Sequence, residues 1–150
     1  MESELSMRVV LVDPPPGVDF GIQRGRGTQY ETMFVQQRKR GDVSFDFSLP
    51  VADDRKDGLP NFQGPFVQGP PAGRFVYVDV GICAGQKDTH WARRMKVPLG
   101  GITWALIRKA MSESGRRLSA RIPGTGKDGG PNCATVRLLG NWQIVTDSAG

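Results

Sequence analysis

The chain has 150 residues, with 20 Lys and Arg against 15 Asp and Glu, which gives a net charge of +5 and a pI near 9.6. This length predicts one domain over residues 1–150, with an ordered core at about 7–146. Leu, Ile, Val and Phe total 36 of the 150 residues, too many for a disordered chain. There is no apolar run of ~18 residues, and no basic and apolar leader precedes the acidic start, so we expect a soluble cytoplasmic protein.

Alternation of apolar and polar residues predicts strands along most of the chain. The run VSFDFSL at 43–49 alternates without a break, and the run RFVYVDV at 74–80 is apolar on one face. Further candidate strands lie at residues 7–12, 18–23, 30–37, 94–99, 118–122, 133–139 and 142–146. The side chains that we expect to be buried are Phe45, Phe47, Val76, Val78, Ile107, Leu118 and Val136.

Turn-forming residues separate these runs at intervals of about ten residues, which is typical of antiparallel meanders. Glycine, proline and charged residues predict turns at residues 13–17, 24–27, 39–42 and 127–132. Residues 53–58 are charged and are expected to form an exposed loop. Residues 124–130 contain a Gly-Lys pair, but Arg121 and Asp128 stand where a phosphate-binding loop needs Gly and Ser or Thr. We therefore expect a β-turn between two strands there.

One amphipathic helix is predicted at about residues 102–114. Thr103 is a suitable N-cap, and Trp104, Ile107 and Met111 recur at the spacing of one helical face. A single helix is too few for a parallel sheet, in which each crossover normally needs its own helix. The expected fold is therefore mainly β, an antiparallel β-barrel or β-sandwich with this one helix.

Residues that commonly carry catalysis or bind metals are few. His90 has no His, Cys or Glu near it at ligand spacing, and Cys83 and Cys133 form neither a CxxC motif nor a disulfide framework. We expect no metal and no cofactor.

The basic residues form three groups, near residues 24–40, 93–96 and 108–121. The aromatic residues are expected to alternate into the core and not to interleave with the arginines as a stacking surface requires. We therefore expect no specific nucleic-acid site, and any binding should be weak, blind to sequence and lost with salt.

The segment at residues 64–77 is the best candidate for a ligand site. Its glycines and prolines fix an irregular backbone, and Gln68 and Arg74 supply directional donors for a small anionic ligand. Arg94 begins another predicted strand and is expected nearby, although an antiparallel neighbour would place it at the opposite end. The alternative is a packed loop that seals one end of the barrel.

Four motifs together resemble a small bacterial family known only as a domain of unknown function. They lie at residues 19–25, 64–77, 93–99 and 132–137, and the resemblance extends over about residues 7–146. It implies a bacterial single-domain protein, and it transfers no activity and no residue role.

Three classes of function therefore stay open. The first is a binding module for a small molecule or partner. The second is a cofactor-free enzyme that uses Asp46, Asp79 or His90 beside Arg94. The third is an interaction protein, such as a homodimer formed through Trp91 or charged strands.

Overall fold

The computed structural model describes residues 2–14, 18–26, 29–36, 41–82, 93–112, 116–122, 125–129, 134–138 and 141–148. Within these ranges the chain forms two β-sheets and one α-helix, so the prediction of a mainly β fold is confirmed. The elements are β1 (Glu2–Leu11), β2 (Val18–Arg26), β3 (Gln29–Gln36), β4 (Val43–Ala52), β5 (Asn61–Phe62), β6 (Phe75–Ile82), β7 (Arg93–Pro98), α1 (Trp104–Ser112), β8 (Arg116–Ile122), β9 (Thr125–Gly129), β10 (Ala134–Leu138) and β11 (Gln143–Ser148).

The first sheet is mixed and curls into a half-barrel with the order β11-β8-β1-β4-β5. Strand β1 lies in the middle, antiparallel to β4 and parallel to β8. The parallel pair joins the start of the chain to its last third, and the long connection contains α1, as a parallel crossover requires.

The second sheet is antiparallel and has the order β3-β2-β6-β10-β9, with β7 also paired to β6. Strands β6 and β7 run side by side from Phe75 opposite Pro98 to Val80 opposite Arg93. Segment 125–129, expected as a turn, is instead strand β9 and pairs along its whole length with β10. Glycine and lysine have low strand propensity, but pairing with β10 satisfies the backbone hydrogen bonds.

The core lies between the inner faces of the two sheets and forms one cluster. Phe47, Val76, Val78, Ile107 and Leu118 are buried, as predicted. Phe45 is half-buried and packs against the edge of the cluster, whereas the side chain of Val136 lies outside the described residues.

Helix α1 begins after Thr103, whose Oγ1 accepts a hydrogen bond from the Leu106 N–H at 3.2 Å, which confirms the predicted N-cap. Its buried residues are Ile107 and Ala110. Met111, expected on the packed face, is 50% exposed. The packed face is centred on Ile107 and Ala110, three residues apart, and Met111 lies beyond its margin in the last turn. No helix in the described ranges is long and apolar enough to cross a membrane.

Candidate functional site

The glycine- and proline-rich segment at residues 64–73 packs onto the core. The ring of Phe66 lies 5.1 Å from that of Phe47 and 5.9 Å from that of Phe45, between centroids. Val67 is 1% exposed. The segment therefore seals one end of the core, as the packed-loop alternative predicted, and it holds the start of β6 in place.

Gln68 fixes this segment to both neighbouring strands. Its backbone N–H donates to the Phe75 carbonyl at 2.8 Å, and its carbonyl accepts from the Phe75 N–H at 3.0 Å. Its side-chain Nε2 donates to the carbonyl of Gly25, and the Gly25 N–H donates to the Pro65 carbonyl. Gln68 is 8% exposed, and its amide donor is directed at β2.

Arg74 lines a cleft of about 150 Å³ at the end of β6. The walls come from the loop before β5, a 3₁₀ turn at Pro71–Gly73, the segment after β7 and the start of α1. The lining residues are Arg55, Leu59, Pro60, Phe62, Pro71, Ala72, Arg74, Leu99, Gly100, Ile102, Thr103 and Trp104. Within this lining, the charged side chains are two arginines and no carboxylate.

The floor of the cleft is apolar and buried, and its rim is open. Phe62, Leu99 and Ile102 are each no more than 3% exposed, whereas Leu59 at the rim is 54% exposed. The Trp104 Nε1–H donates to the Gly58 carbonyl at 2.8 Å, which ties the rim loop to the first residue of α1. A ligand here would meet apolar surface below and polar groups at the opening.

Arg55 turns inward from a loop that the sequence predicted to be exposed. Its Nη1 donates to the Pro71 carbonyl at 2.8 Å, and its side chain is 16% exposed. It also pairs with Asp57, whose pKa is lowered first by the hydrogen bond from the Leu59 N–H and then by this guanidinium. Arg55 could not be predicted as a cleft residue, because a charged run is typical of an exposed loop and only the distant 3₁₀ turn supplies its acceptor.

Arg94 lies farther along the second sheet. It is paired in register with Asp79, five residues after Arg74, a distance of about 17 Å along β6. Its Nε donates to Asp79 Oδ1 at 3.0 Å. The structure therefore brings Gln68 and Arg74 to one end of β6 and leaves Arg94 outside the cleft lining, as an antiparallel neighbour requires.

A second polar cluster occupies the outer face of the mixed sheet. Asp46 on β4 accepts two hydrogen bonds from Arg8, at 2.6 and 3.0 Å, and one from Arg117 at 3.2 Å. The hydrogen bonds from Arg8, and then the charges of both arginines, hold the pKa of Asp46 below its ordinary value. The carboxylate of Asp46 therefore binds two guanidinium groups. These ion pairs account for its position, and no catalytic role is needed to explain it.

Replacing Asp46 with Asn is expected to lower the free energy of unfolding by about 1–2 kcal/mol at pH 7, since the half-exposed carboxylate is partly screened. Its folded-state pKa is depressed, so this stability is present above the unfolded pKa of about 3.9 and is lost as pH falls through the folded pKa. Urea unfolding of both proteins at pH 7 and pH 3 should show the difference shrinking in acid. Asp42→Asn is the control, because the Asp42–Arg121 pair is longer at 3.4 Å, and it should cost less than about 1 kcal/mol. A constant Asp46→Asn difference at both pH values would contradict this account.

Other residues considered for chemistry lie outside the described residues: Cys83, His90, Trp91 and Cys133. Within the described ranges there is no group of three His, Cys, Asp or Glu residues that could hold a metal ion.

In the described part of the chain, fold and cleft together define a mainly β protein with one helix and a small cation-lined cleft at one end of its second sheet. A family model described as a family of unknown function (DUF5990) matches residues 5–145, and the chain belongs to this family. Neither the curated proteins nor the solved structures contain a significant match to the chain.

Proposed function

We propose that the protein is a cytoplasmic bacterial binding module whose cleft takes a small organic acid with a compact apolar body. The observation that carries this proposal is the juxtaposition of Arg55 and Arg74 with the buried floor of Phe62, Leu99 and Ile102. Small-molecule sites typically combine an apolar lining with a few placed polar groups.

The volume limits the size of the ligand. Cavities of about 150 Å³ hold molecules of the size of benzene, so the apolar body should be one six-membered ring or a short branched chain. A larger cofactor or a nucleotide would leave much of its body outside the cleft, beyond the open rim.

The charges favour an anion. Arginine presents a planar fork that suits a carboxylate, and both arginines reach the cleft from fixed positions on backbone carbonyls. The first turn of α1 contains no acidic residue, so its backbone N–H groups add a weak positive potential at Thr103 and Trp104.

The lining also favours binding over acid–base catalysis. The described residues that line the cleft include no carboxylate, imidazole, thiol or amine side chain, and the nearby Asp57 carboxylate is paired with Arg55. Asp46 and Asp79, the carboxylates considered for the enzyme alternative, are not among the cleft residues and are paired with arginines.

The proposal predicts that benzoate and cyclohexanecarboxylate raise the melting temperature, whereas benzyl alcohol and benzamide have a smaller effect. A ligand at a hundred times its Kd should stabilise the folded state by about 2.7 kcal/mol. In two-dimensional ¹H–¹⁵N NMR, the same acids should shift the amide signals of Ala72, Gly100 and Trp104. The size of each shift should level off as the concentration of the acid is raised.

A pair of variants at Ala72 tests the charge argument without disturbing the core. Ala72 is exposed on the 3₁₀ turn at the rim, so both Ala72→Glu and Ala72→Gln should fold. Ala72→Glu should weaken binding of the acids about ten-fold by like-charge repulsion, and Ala72→Gln should change it less than about three-fold. Equal effects of the two variants, or no saturable shift with any of the acids, would refute the proposal.

A further inference from the structure

The outer face of strands β6 and β7 combines aromatic and cationic side chains. Three alternate residues of β6, Val76, Val78 and Val80, face the core and are fully buried. Phe75 and Tyr77 therefore lie on the opposite face, where both are half-buried. On β7 the exposed residues Arg94 and Lys96 lie on this same face, opposite Asp79 and Tyr77.

Ring and cation contacts link these four side chains, and we call the surface formed by Phe75, Tyr77, Arg94 and Lys96 the β6–β7 strip. The two rings meet edge to face, with centroids 4.8 Å apart. Lys96 Nζ lies 4.5 Å from the Phe75 centroid, and Arg94 Cζ lies 5.4 Å from the Tyr77 centroid. The sequence pattern predicts aromatic residues that stay apart from the basic ones, and strands β6 and β7 are the exception.

Arg94 is held in a fixed orientation on the strip. Its Nε donates to Asp79, a carboxylate whose side chain is only 7% exposed, while the Arg94 side chain is 52% exposed. A fixed guanidinium plane beside a tyrosine ring is a surface on which a planar base can stack.

A buried hydrogen-bond acceptor lies beside the strip. Gln23 is 2% exposed, and its Oε1 finds no donor among the described residues. Gln23 directly follows Ile22, whose pairing with Val78 is the last between β2 and β6. Phe20 and Ile22 face the core, and alternation therefore directs Gln23 to the same face as Tyr77.

We propose that the β6–β7 strip binds single-stranded nucleic acid. A base would stack against Tyr77 and Phe75, and Arg94 and Lys96 would bind the flanking phosphates. Gln23 Oε1 is buried, so it would accept a hydrogen bond from the base edge only after the Gln23 side chain turns outward. The net charge of +5 adds long-range attraction for a polyanion.

Single strands fit this surface better than the other polyanions. A duplex hides the faces of its bases, so it cannot use the rings. An acidic peptide would use the two cations, but the side chains of Asp and Glu have no aromatic face to stack on the rings. Stacking on a ring is tolerant of base identity, so we expect little preference between sequences.

Fluorescence anisotropy with labelled twelve-nucleotide oligouridine and oligothymidine tests the proposal, and the two probes distinguish RNA from DNA. We expect micromolar Kd values for at least one of them at about 50 mM salt. The logarithm of the association constant should fall with the logarithm of salt concentration with a slope of about −1.4 to −2, for two to three phosphate contacts. A twelve-base-pair duplex should bind at least ten-fold more weakly.

Variants separate stacking from simple charge attraction. Tyr77→Leu should weaken binding about ten-fold or more, whereas Tyr77→Phe should retain it, because stacking needs the ring and not the hydroxyl. Lys96→Gln should weaken binding and reduce the salt slope by about 0.7. Lys109→Gln, the same change of charge at an exposed position on α1, should alter the Kd less than about two-fold.

Three outcomes would overturn the proposal. The first is no binding of either oligonucleotide by protein that circular dichroism shows to be folded. The second is equal losses for Lys96→Gln and Lys109→Gln with a folded Tyr77→Leu variant unaffected, which would indicate unspecific charge attraction. The third is competition by polyglutamate as strong as that by oligouridine, which would make the strip a surface for acidic proteins.

Discussion

The variant Phe47→Ala is expected to lower the free energy of unfolding by about 3–5 kcal/mol, as loss of a buried aromatic ring commonly does. Phe47 lies on β4 opposite Met7 of β1, and its ring is 5.1 Å from that of Phe66 in the segment that seals the core. Truncation therefore leaves a cavity between the mixed sheet and that segment. Neither the sheet nor the segment can move in to fill the cavity, because both are anchored to strands. Urea unfolding monitored by tryptophan fluorescence measures the loss.

Phe45→Ala provides the matched comparison. Phe45 lies two residues earlier on the same face, but it is only half-buried and meets Phe47 and Phe66 from the edge of the cluster. Its truncation should cost less than that of Phe47, about 1–3 kcal/mol. A loss below about 1 kcal/mol for Phe47→Ala, or a larger loss at Phe45, would mean that Phe47 is not the packing centre of this sheet.

The second large effect is expected for Gly69→Ala, about 2–5 kcal/mol. Gly69 has a φ of +88°, where an added side chain is strained, and its Cβ would lie 2.7 Å from the Gly73 carbonyl oxygen and 2.8 Å from the Phe75 ring. Strain and overpacking therefore act together, and the crowding oxygen belongs to the backbone of the 3₁₀ turn, not to a flexible side chain. Thermal and urea unfolding measure the cost.

Gly58→Ala isolates the backbone contribution. Gly58 also has a positive φ, +76°, but an added Cβ would meet nothing within 4 Å. This variant should lose only about 1–2 kcal/mol. If both alanine variants lose the same amount, the crowding at Gly69 contributes nothing, and the account of the packed turn is wrong.

The local pattern of the sequence was sufficient to predict most of the strands and the start of the helix. The alternation at residues 43–49 gave the correct inward face of β4, and Thr103 marked the N-cap of α1. These features depend on residues within one turn or one strand of each other, so sequence carries them directly.

Features that depend on distant partners could not be predicted in this way. The sequence of β9 predicts a turn, and the segment forms a strand because β10 pairs with it. The charged run around Arg55 predicts an exposed side chain, but Arg55 points inward because its guanidinium donates to the Pro71 carbonyl. The distance between Arg94 and Arg74 could not be predicted either, because it depends on the antiparallel register of β6 and β7.

The parallel pairing of β1 with β8 has a consequence for how the chain acquires its structure. Met7 meets Leu118, so the central strand of the mixed sheet is completed only by a segment more than a hundred residues later. Contacts this distant in sequence slow folding, because the entropy of closing the loop is lost before the pairing stabilises the chain. During synthesis β1 can pair with β4 while its other edge stays open until β8 emerges from the ribosome. An open apolar edge of this kind recruits strands from other chains, so the nascent protein is most prone to aggregation just before its last third is made.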